Sequence, residues 1–289
     1  MAATGSRFTP RRIRRGLSRR AATAYARVQD AVERRTQPER WPNHLLFVAG
    51  MPKSGTTWLA ELLEGVPHYR SRPFSDPDGC VLRHDICDAV FESLPGDLYS
   101  VVKLHTRATP ENLAVLDHFG LPAVVMHRDL RDQAVSRYFH VKVDPEHRHF
   151  ELYNTASEAE GLRHAIEHST GEYREWIEQW LPVLEAQPER FLEVRYEWLR
   201  EDPAGQLTRA LAFFGIDLPA PQIAEIVRAV AANTRFDLQA SLRRNQTARA
   251  GVVGGWRQHF DDEHVRLFKE RSGDLLVRLG YERDVNWTR

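Results

Sequence analysis

Short apolar runs, separated by polar or glycine-containing stretches, set the predicted elements of this 289-residue chain. Residues 45–48 are four apolar residues in a row, and similar runs lie within 99–105 and 122–128. Residues 191–203 predict a fourth strand followed by a turn. Short continuous runs of this kind are typical of strands buried on both faces of a parallel sheet.

Helical spacing follows these strands. A helix is predicted from Thr56, with Leu59, Leu62 and Leu63 on one face, and another after Asp129, the candidate N-cap. The alternation of strands and helices predicts an α/β fold with a central parallel sheet flanked by helices. Further predictions are a loop at 67–79, helices within 81–94, 157–185, 204–214, 221–232 and 261–279, and core positions for Trp176 and Trp180.

The loop after the first strand is the most informative stretch. Gly50 and Gly55 bracket it, and the helix from Thr56 directs free backbone N–H groups and the positive end of its dipole at the loop. Such a loop binds anions. The glycine spacing matches a Walker A motif, which then requires a lysine. Thr56 and Thr57 stand in that place, and Lys53 lies inside the loop instead.

Residues 52–58, Pro-Lys-Ser-Gly-Thr-Thr-Trp, resemble the 5′-phosphosulfate loop of the cytosolic-type sulfotransferases. These enzymes use 3′-phosphoadenosine 5′-phosphosulfate (PAPS), and the resemblance implies a P-loop-type, three-layer α/β/α fold. It spans about residues 43–262, where five segments match in the family's order. The donor-binding residues that this loop implies are Lys53, Ser54, Gly55, Thr56, Thr57 and Trp58.

Lys103 and His105 lie two residues apart at the end of the second predicted strand, so both side chains are expected on one face. The carboxyl edge of a parallel sheet faces the ligand crevice. Lys-x-His here is similar to the family's Lys-Thr-His-Leu-Pro segment, although the flanking residues differ. The resemblance implies that His105 is the general base, and Lys53, Lys103 and Ser136 complete the implied catalytic set.

Arg128 ends the third predicted strand, and Ser136 lies two helical turns further on. The family pattern is Arg-Asn-Pro-Arg-Asp followed by Val-Ser, and this chain has Asp129-Leu130 in place of Asn-Pro. By this resemblance Arg128 and Ser136 hold the donor's 3′-phosphate, a role that suits the planar fork of an arginine. A further matched segment implies that Tyr196 lies beside the nucleotide.

The C-terminal matches concern the adenine and the 3′-phosphate. Thr234 and Phe236 occupy the places of family residues that contact the adenine, and Arg249, Ala250 and Gly251 begin a glycine-rich match. Ala250 replaces a lysine of the family pattern. Loss of one charge-assisted contact is worth about 1.5–3 kcal/mol, so weaker donor affinity is expected unless a nearby arginine compensates.

Composition bounds the other possibilities. Hydrophobic residues make up 42% and charged residues 28% of the chain, and the zero net charge gives no overall field that selects nucleic acid. The chain contains no run of 18 apolar residues, so no membrane span is predicted and a cytoplasmic protein is expected.

Cys80 and Cys87 do not have the spacing of a zinc site and are interpreted as reduced thiols. His140, His147 and His149 also lack ligand spacing and are interpreted as a mobile loop near the acceptor.

Residues 1–40 differ from the rest of the chain, with 11 Arg and 3 acidic residues, whereas residues 41–289 are predicted to form a single sulfotransferase domain. Residues 11–35 indicate a basic amphipathic helix with apolar residues four apart: Ile13, Leu17, Ala21 and Tyr25. It is interpreted as a solvated helix packed on the acidic body or as a weak contact with an anionic membrane surface. Nucleic-acid binding has no supporting motif.

The expected reaction is sulfuryl transfer from PAPS to a hydroxyl or amine of a small-molecule or lipid acceptor, by in-line displacement and without a metal. In it His105 is the general base and Lys53 stabilises the leaving phosphate. The acceptor pocket is expected from residues 67–95 and 140–160. A P-loop small-molecule kinase and a non-catalytic nucleotide-binding protein stay open as alternatives, as does the oligomeric state.

Overall fold

A parallel sheet lies at the centre of the fold. The computed structural model describes residues 10–33, 35, 40–232 and 251–289, with the backbone alone for 10–20 and 22. Its strands pair in the order β2-β3-β1-β4-β5, and every pair is parallel, as predicted. The strands are β1 (Leu45–Gly50), β2 (Arg70–Ser71), β3 (Ser100–Leu104), β4 (Ala123–His127) and β5 (Phe191–Arg195).

Helices cover both faces of this sheet. The described helices are α1 (Pro10–Glu33), α2 (Thr56–Glu64), α3 (Asp88–Glu92), α4 (Pro110–His118), α5 (Leu130–Val141), α6 (Phe150–Thr155), α7 (Glu158–His168), α8 (Arg174–Ala186), α9 (Tyr196–Glu201), α10 (Pro203–Phe213), α11 (Ala220–Ala232), α12 (Asp262–Ser272) and α13 (Leu275–Arg278). Asp129 and Asp261 cap α5 and α12 through backbone N–H groups, as their sequence positions indicate.

Two hydrophobic cores sandwich the sheet because β1 is apolar on both faces. Phe47 and Ala49 pack into the first core with residues of α5, α7, α8 and α12. Leu46 and Val48 pack into the second core with residues of α2, α9, α10 and α11. The helix–sheet–helix layering matches the predicted three-layer α/β/α fold.

Two predictions about connecting segments are wrong. Residues 67–79, predicted as a loop, contain the edge strand β2, which is two polar residues long and has no apolar pattern to reveal it. The turn predicted after the fourth strand is the helix α9, which forms because Tyr196 and Leu199 pack into the second core.

Other predicted helices are interrupted or differently placed. The helix predicted over 157–185 consists of α7 and α8 joined by a π-helical segment, Ser169–Tyr173, and it buries Trp176 and Trp180 as predicted. The stretch 81–94 holds a 3-10 turn, Val81–Arg83, followed by the short α3. His140, predicted in a loop, lies in the last turn of α5.

The basic helix α1 contacts the body near its C-terminal end. Arg27 pairs with Asp97 at 2.7 Å, and Glu33 pairs with Arg70 at 3.1 Å. Tyr25 is 65% exposed, so this residue of the predicted apolar face does not pack on the body. The side chains of Ile13 and Leu17 lie outside the described part of the chain. None of the described helices is long and apolar enough to span a bilayer.

Candidate active site

The loop after β1 lies at the carboxyl end of the central strand, between β3 and β4. The Met51 N–H donates to the Met126 carbonyl of β4 over 2.8 Å, which ties the loop to the sheet. The buried Ser54 hydroxyl donates to the Met51 carbonyl over 2.6 Å. The Ser54 hydroxyl is thus bonded within the loop. Its predicted contact with the donor stays a prediction.

Lys53 lies in this loop with a left-handed backbone, at φ 66°. Few residues with a Cβ adopt that conformation, so the surrounding structure must hold it in place. Burial, followed by repulsion from Arg128, Lys103 and Arg137, lowers the pKa of Lys53 to about 8. Cations held together in this way stabilise a bound anion.

Two glycines allow the close approach of neighbouring side chains around the loop. Gly55 precedes α2 at φ 85°, and a Cβ built on it would lie 2.5 Å from the Tyr196 ring. A Cβ on Gly50 would lie 1.8 Å from the Thr56 methyl group. The loop sequence is therefore restricted by packing as well as by backbone conformation.

His105 follows β3, and its Nδ1 lies 2.7 Å from the Gly50 carbonyl oxygen at the end of β1. A carbonyl can only accept a hydrogen bond, so Nδ1 carries the proton and Nε2 keeps its lone pair in the neutral ring. Burial, with smaller contributions from Lys103, His84 and Lys53, lowers the pKa of His105 to about 4. The imidazole is thus neutral at physiological pH and able to accept a proton at Nε2.

Lys103 connects β3 to the first turn of α2. Its ammonium donates to the Thr57 hydroxyl oxygen over 3.2 Å, and burial lowers its pKa. Thr57 is exposed whereas Thr56 is buried, so the two hydroxyls of the pair differ in access. Lys103 of β3 thereby contacts α2, and His105, which follows β3, contacts the end of β1.

Arg128 lies on the other side of the loop. Its guanidinium stacks 4.2 Å above the Tyr196 ring and lies 3.5 Å from both the Asp132 carboxylate and the Lys53 carbonyl oxygen. The side chain is buried, and among the described residues its Nε has no hydrogen-bond partner. Ser136 is half-buried on α5, and no hydrogen bond joins it to Lys53 within the described residues.

Known proteins are similar to this chain over most of its length. A family model described as a sulfotransferase domain matches residues 120–280, which is more than half of the chain. The chain belongs to the sulfotransferase family. Human sulfotransferase 2B1 is 30% identical over 238 residues, or 74% of this chain and 61% of the human protein. Flavonol 3-sulfotransferase of Flaveria bidentis is 27% identical over 83% of both chains.

Solved structures of a sulfotransferase and of a retinol dehydratase show the same fold. Mouse sulfotransferase SULT7A1 complexed with PAP aligns with a TM-score of 0.58 and 21% identity, over 82% of this chain and 87% of that one. Retinol dehydratase in complex with androsterone and PAP aligns with a TM-score of 0.58 and 18% identity, over 85% and 82%. These comparisons confirm the predicted family and its P-loop-type fold. The predicted reaction class, sulfuryl transfer, agrees with that family.

The predicted nucleotide-binding residues of this sulfotransferase converge around Tyr196. Its ring contacts the Trp58 ring edge-on at 6.3 Å, in addition to Gly55 and Arg128. A Cβ on Gly251 would lie 2.8 Å from the Tyr196 hydroxyl. The remaining predicted contacts, Thr234, Phe236, Arg249 and Ala250, lie outside the described residues.

Two supporting residues were missed as site residues in the sequence analysis. The Asp132 carboxylate accepts the backbone N–H groups of Gly254 and Trp256 at 2.8 and 2.9 Å, which fixes the segment after Gly251 to α5. The buried Gln133 amide donates to the Pro52 carbonyl over 3.2 Å. Asp132 lay within a matched motif, but nothing in the sequence indicated its partners more than 100 positions away.

Two cysteines of this sulfotransferase lie close together, although their spacing did not indicate it. The sulfurs of Cys80 and Cys87 are 2.9 Å apart, and both are free thiols. With Asp76 they form the one group of potential metal ligands found in the described part of the chain. The Asp76 carboxylate already accepts the N–H groups of Cys80 and Val81, so it is engaged in the local backbone.

Proposed function

We propose that this protein transfers a sulfuryl group from PAPS to a hydroxyl or amine of a small-molecule or lipid acceptor. The observation that carries the proposal is the contact of His105 with the Gly50 carbonyl, 2.7 Å from Nδ1, at the start of the phosphosulfate-type loop. It places a neutral imidazole, with a free lone pair on Nε2, beside the loop that carries Lys53. When bound, PAPS supplies an electrophilic sulfur and a phosphate leaving group.

The donor side of the site fits an adenosine bisphosphate. The N-terminus of α2 and the loop N–H groups suit the 5′-phosphosulfate. Arg128, buried and with no Nε partner in the part of the chain that the structure describes, suits the 3′-phosphate, and Ser136 lies on α5, the helix that follows it. We assign to Thr56, Thr57, Trp58, Tyr196 and Gly251 the remaining donor contacts.

The reaction then needs a base and a cation. His105 takes the acceptor proton on Nε2 while the Gly50 carbonyl holds the Nδ1 proton in place. Lys53 stabilises the negative charge that develops on the leaving phosphate, and Lys103 positions the Thr57 hydroxyl. A transferred group with less charge than a phosphoryl group needs no divalent cation beyond these donors.

The wider assignments of the sequence analysis belong to the same proposal. We assign residues 41–289 to one catalytic domain and residues 1–40 to a basic extension, and we expect the protein to act in the cytoplasm. Weak contact of α1 with an anionic membrane surface is compatible with the exposed Tyr25, Val28 and Val32 beside its basic residues. The segments 67–95 and 140–160 are assigned to the acceptor pocket.

The test is PAP formation from PAPS with a panel of phenols, alcohols, sterols and amines. His105→Ala should abolish turnover while leaving PAP affinity within about twofold, and Lys53→Ala should lower kcat by about 100-fold or more. His118→Asn, an exposed histidine on α4, is the matched control and should behave as wild type.

Three results separate the alternatives. Full turnover by His105→Ala would remove His105 as the base. A Lys53→Ala effect on the KM for PAPS alone would restrict Lys53 to binding. Phosphate transfer from ATP without any response to PAPS would identify a kinase.

A further inference from the structure

A second buried arginine lies beside the proposed reaction centre. Arg137 follows Ser136 on α5, and its side chain is 7% exposed. It is close enough to Lys53 for the two positive charges to repel each other. Unlike Arg128, it has no role in the donor site described above.

The guanidinium of Arg137 is poorly satisfied. Its hydrogen bonds are long, 3.4 Å to the Tyr173 hydroxyl and 3.5 Å to His149 Nδ1, and it also interacts with the Tyr153 phenol. Its Nε has no hydrogen-bond partner among the described residues. Within the described ranges, no carboxylate lies within 4.0 Å of it. A buried charge without a counterion is costly, so such a group is kept where a ligand supplies the opposite charge.

The groups within hydrogen-bond distance of Arg137, Tyr173 and His149, are neutral. Burial lowers the pKa of both His149 and His168 to about 4 and raises that of Tyr173 to about 12. Glu172, an acid of this cluster, lies 3.2 Å from both His84 and His168, and the charge of Arg137 helps to lower its pKa. Among the described residues, Arg137 therefore interacts with the Glu172 carboxylate only at longer range and has no carboxylate in direct contact.

This charge faces the acceptor side of the site. His149 belongs to the 140–160 segment that is assigned to the acceptor. His84, from the other acceptor segment, has its ring 5.7 Å from that of His105 and is linked through Glu172 to His168. The rings of His168 and His149 are 6.4 Å apart, so the side chains are continuous from the proposed base to Arg137.

We infer that Arg137 binds a carboxylate of the acceptor, and that the acceptor class is a hydroxy or amino compound carrying one carboxylate. The inference rests on the proposed function. One guanidinium flanked by a phenol and neutral imidazoles matches a monoanion in charge, and its planar fork matches the two oxygens of a carboxylate. A dianion would leave one negative charge without a partner.

The experiment compares acids with their methyl esters at equal chain length. The probes are 3-(4-hydroxyphenyl)propanoate, 12-hydroxydodecanoate and 6-aminohexanoate, each with its ester. Wild type should show kcat/KM about 10–100-fold higher for the preferred acid than for its ester. Arg137→Met should abolish that preference, Arg137→Lys should keep part of it, and Arg163→Met, an exposed arginine on α7, should keep all of it.

A binding measurement accompanies the kinetics. Titration of PAP-loaded protein with each probe should give the same order, acid above ester, and PAP affinity itself should be unchanged in Arg137→Met. Equal kcat/KM and equal affinity for acid and ester, or no binding of any acid, overturns the inference. A uniform loss of kcat for every acceptor in Arg137→Met also overturns it, because the guanidinium would then act on the transferred group.

Failure of the inference and of the proposed function give different patterns. If only the inference fails, PAP still binds and neutral acceptors are still sulfonated by both wild type and Arg137→Met. If the proposed function fails, PAPS is not consumed with any acceptor, whatever its charge.

Discussion

The pH dependence of donor turnover tests the electrostatics of the site directly. The two groups proposed to act at the reacting atoms have lowered pKa values, about 4 for His105 and about 8 for Lys53. The base must be neutral and the ammonium charged for turnover. We therefore expect kcat/KM for PAPS to be nearly constant from about pH 5 to about pH 7.5 and to fall on both sides.

The size of the effect follows from these values. At pH 5.5 a histidine with a pKa of about 4 is about 97% neutral, whereas an unperturbed histidine would be only about 9% neutral. At pH 9 a lysine with a pKa of about 8 is about 9% charged, whereas an unperturbed lysine stays charged. Wild type should thus keep nearly full kcat/KM at pH 5.5 and lose about tenfold at pH 9.

The assay is the initial rate of PAP formation between pH 4.5 and pH 9.5 at constant ionic strength. Lys53→Arg should move the alkaline fall beyond the range, because a guanidinium does not titrate there. Circular dichroism at each pH is the control for unfolding. In the unfolded chain His105 binds a proton near pH 6.5, whereas in the folded protein it does so only near pH 4. The free energy of unfolding therefore has its full value above pH 6.5 and falls as the pH drops toward 4. An acid midpoint near 6.5 in folded protein would refute the reasoning.

Three substitutions test packing, two of them around the nucleotide site and the third in the first core. Gly55→Ala should lower the free energy of unfolding by about 1–2 kcal/mol through its left-handed backbone and by about 1–3 kcal/mol through the clash with Tyr196. Its PAP affinity should fall at least about tenfold. Gly79→Ala is the control: at φ 64° in open space it should lose only the backbone contribution and bind PAP normally. Asp132→Ala should lower the free energy of unfolding by about 3 kcal/mol, because a buried and a partly buried N–H group lose their acceptor, and should weaken PAP binding. Trp180→Phe should lower the free energy of unfolding by about 1–3 kcal/mol, because it removes a hydrogen bond and leaves a small cavity, and PAP affinity should be unchanged. Urea denaturation and PAP titration measure all three, and equal behaviour of the two glycine variants would contradict the packing argument.

The main strands could be predicted because each is a short apolar run buried on both faces. The edge strand β2 could not be predicted, since two polar residues carry no periodic signal and join the sheet only through pairing with Ser100 and Val101. The helix α9 was mistaken for a turn because its burial depends on the distant helices α10 and α11. Local patterns thus predicted the centre of the sheet better than its edge and its connections.

In the candidate site too, residues in local motifs could be predicted and residues defined by distant contacts could not. Lys53, His105 and Arg128 were predicted because they stand beside strand ends in segments that resemble a known motif. Arg137 was not, because its isolation is a property of the folded chain: an arginine next to Ser136 has no sequence signal that distinguishes a surface residue from a buried cation. Its environment comes from α6, the π-helical segment and the turn before α6.

The central position of β1 has a practical consequence for ligand discovery. Lys53, Arg128, Tyr196 and Gly251 come from four regions of the chain that meet beside the loop after β1. A nucleotide that bridges them clamps the N-terminal and C-terminal halves together, so its binding energy adds to the stability of the whole fold. At 100 times its dissociation constant the gain is about 2.7 kcal/mol, enough for a melting-temperature screen to report donor-site ligands without any knowledge of the acceptor.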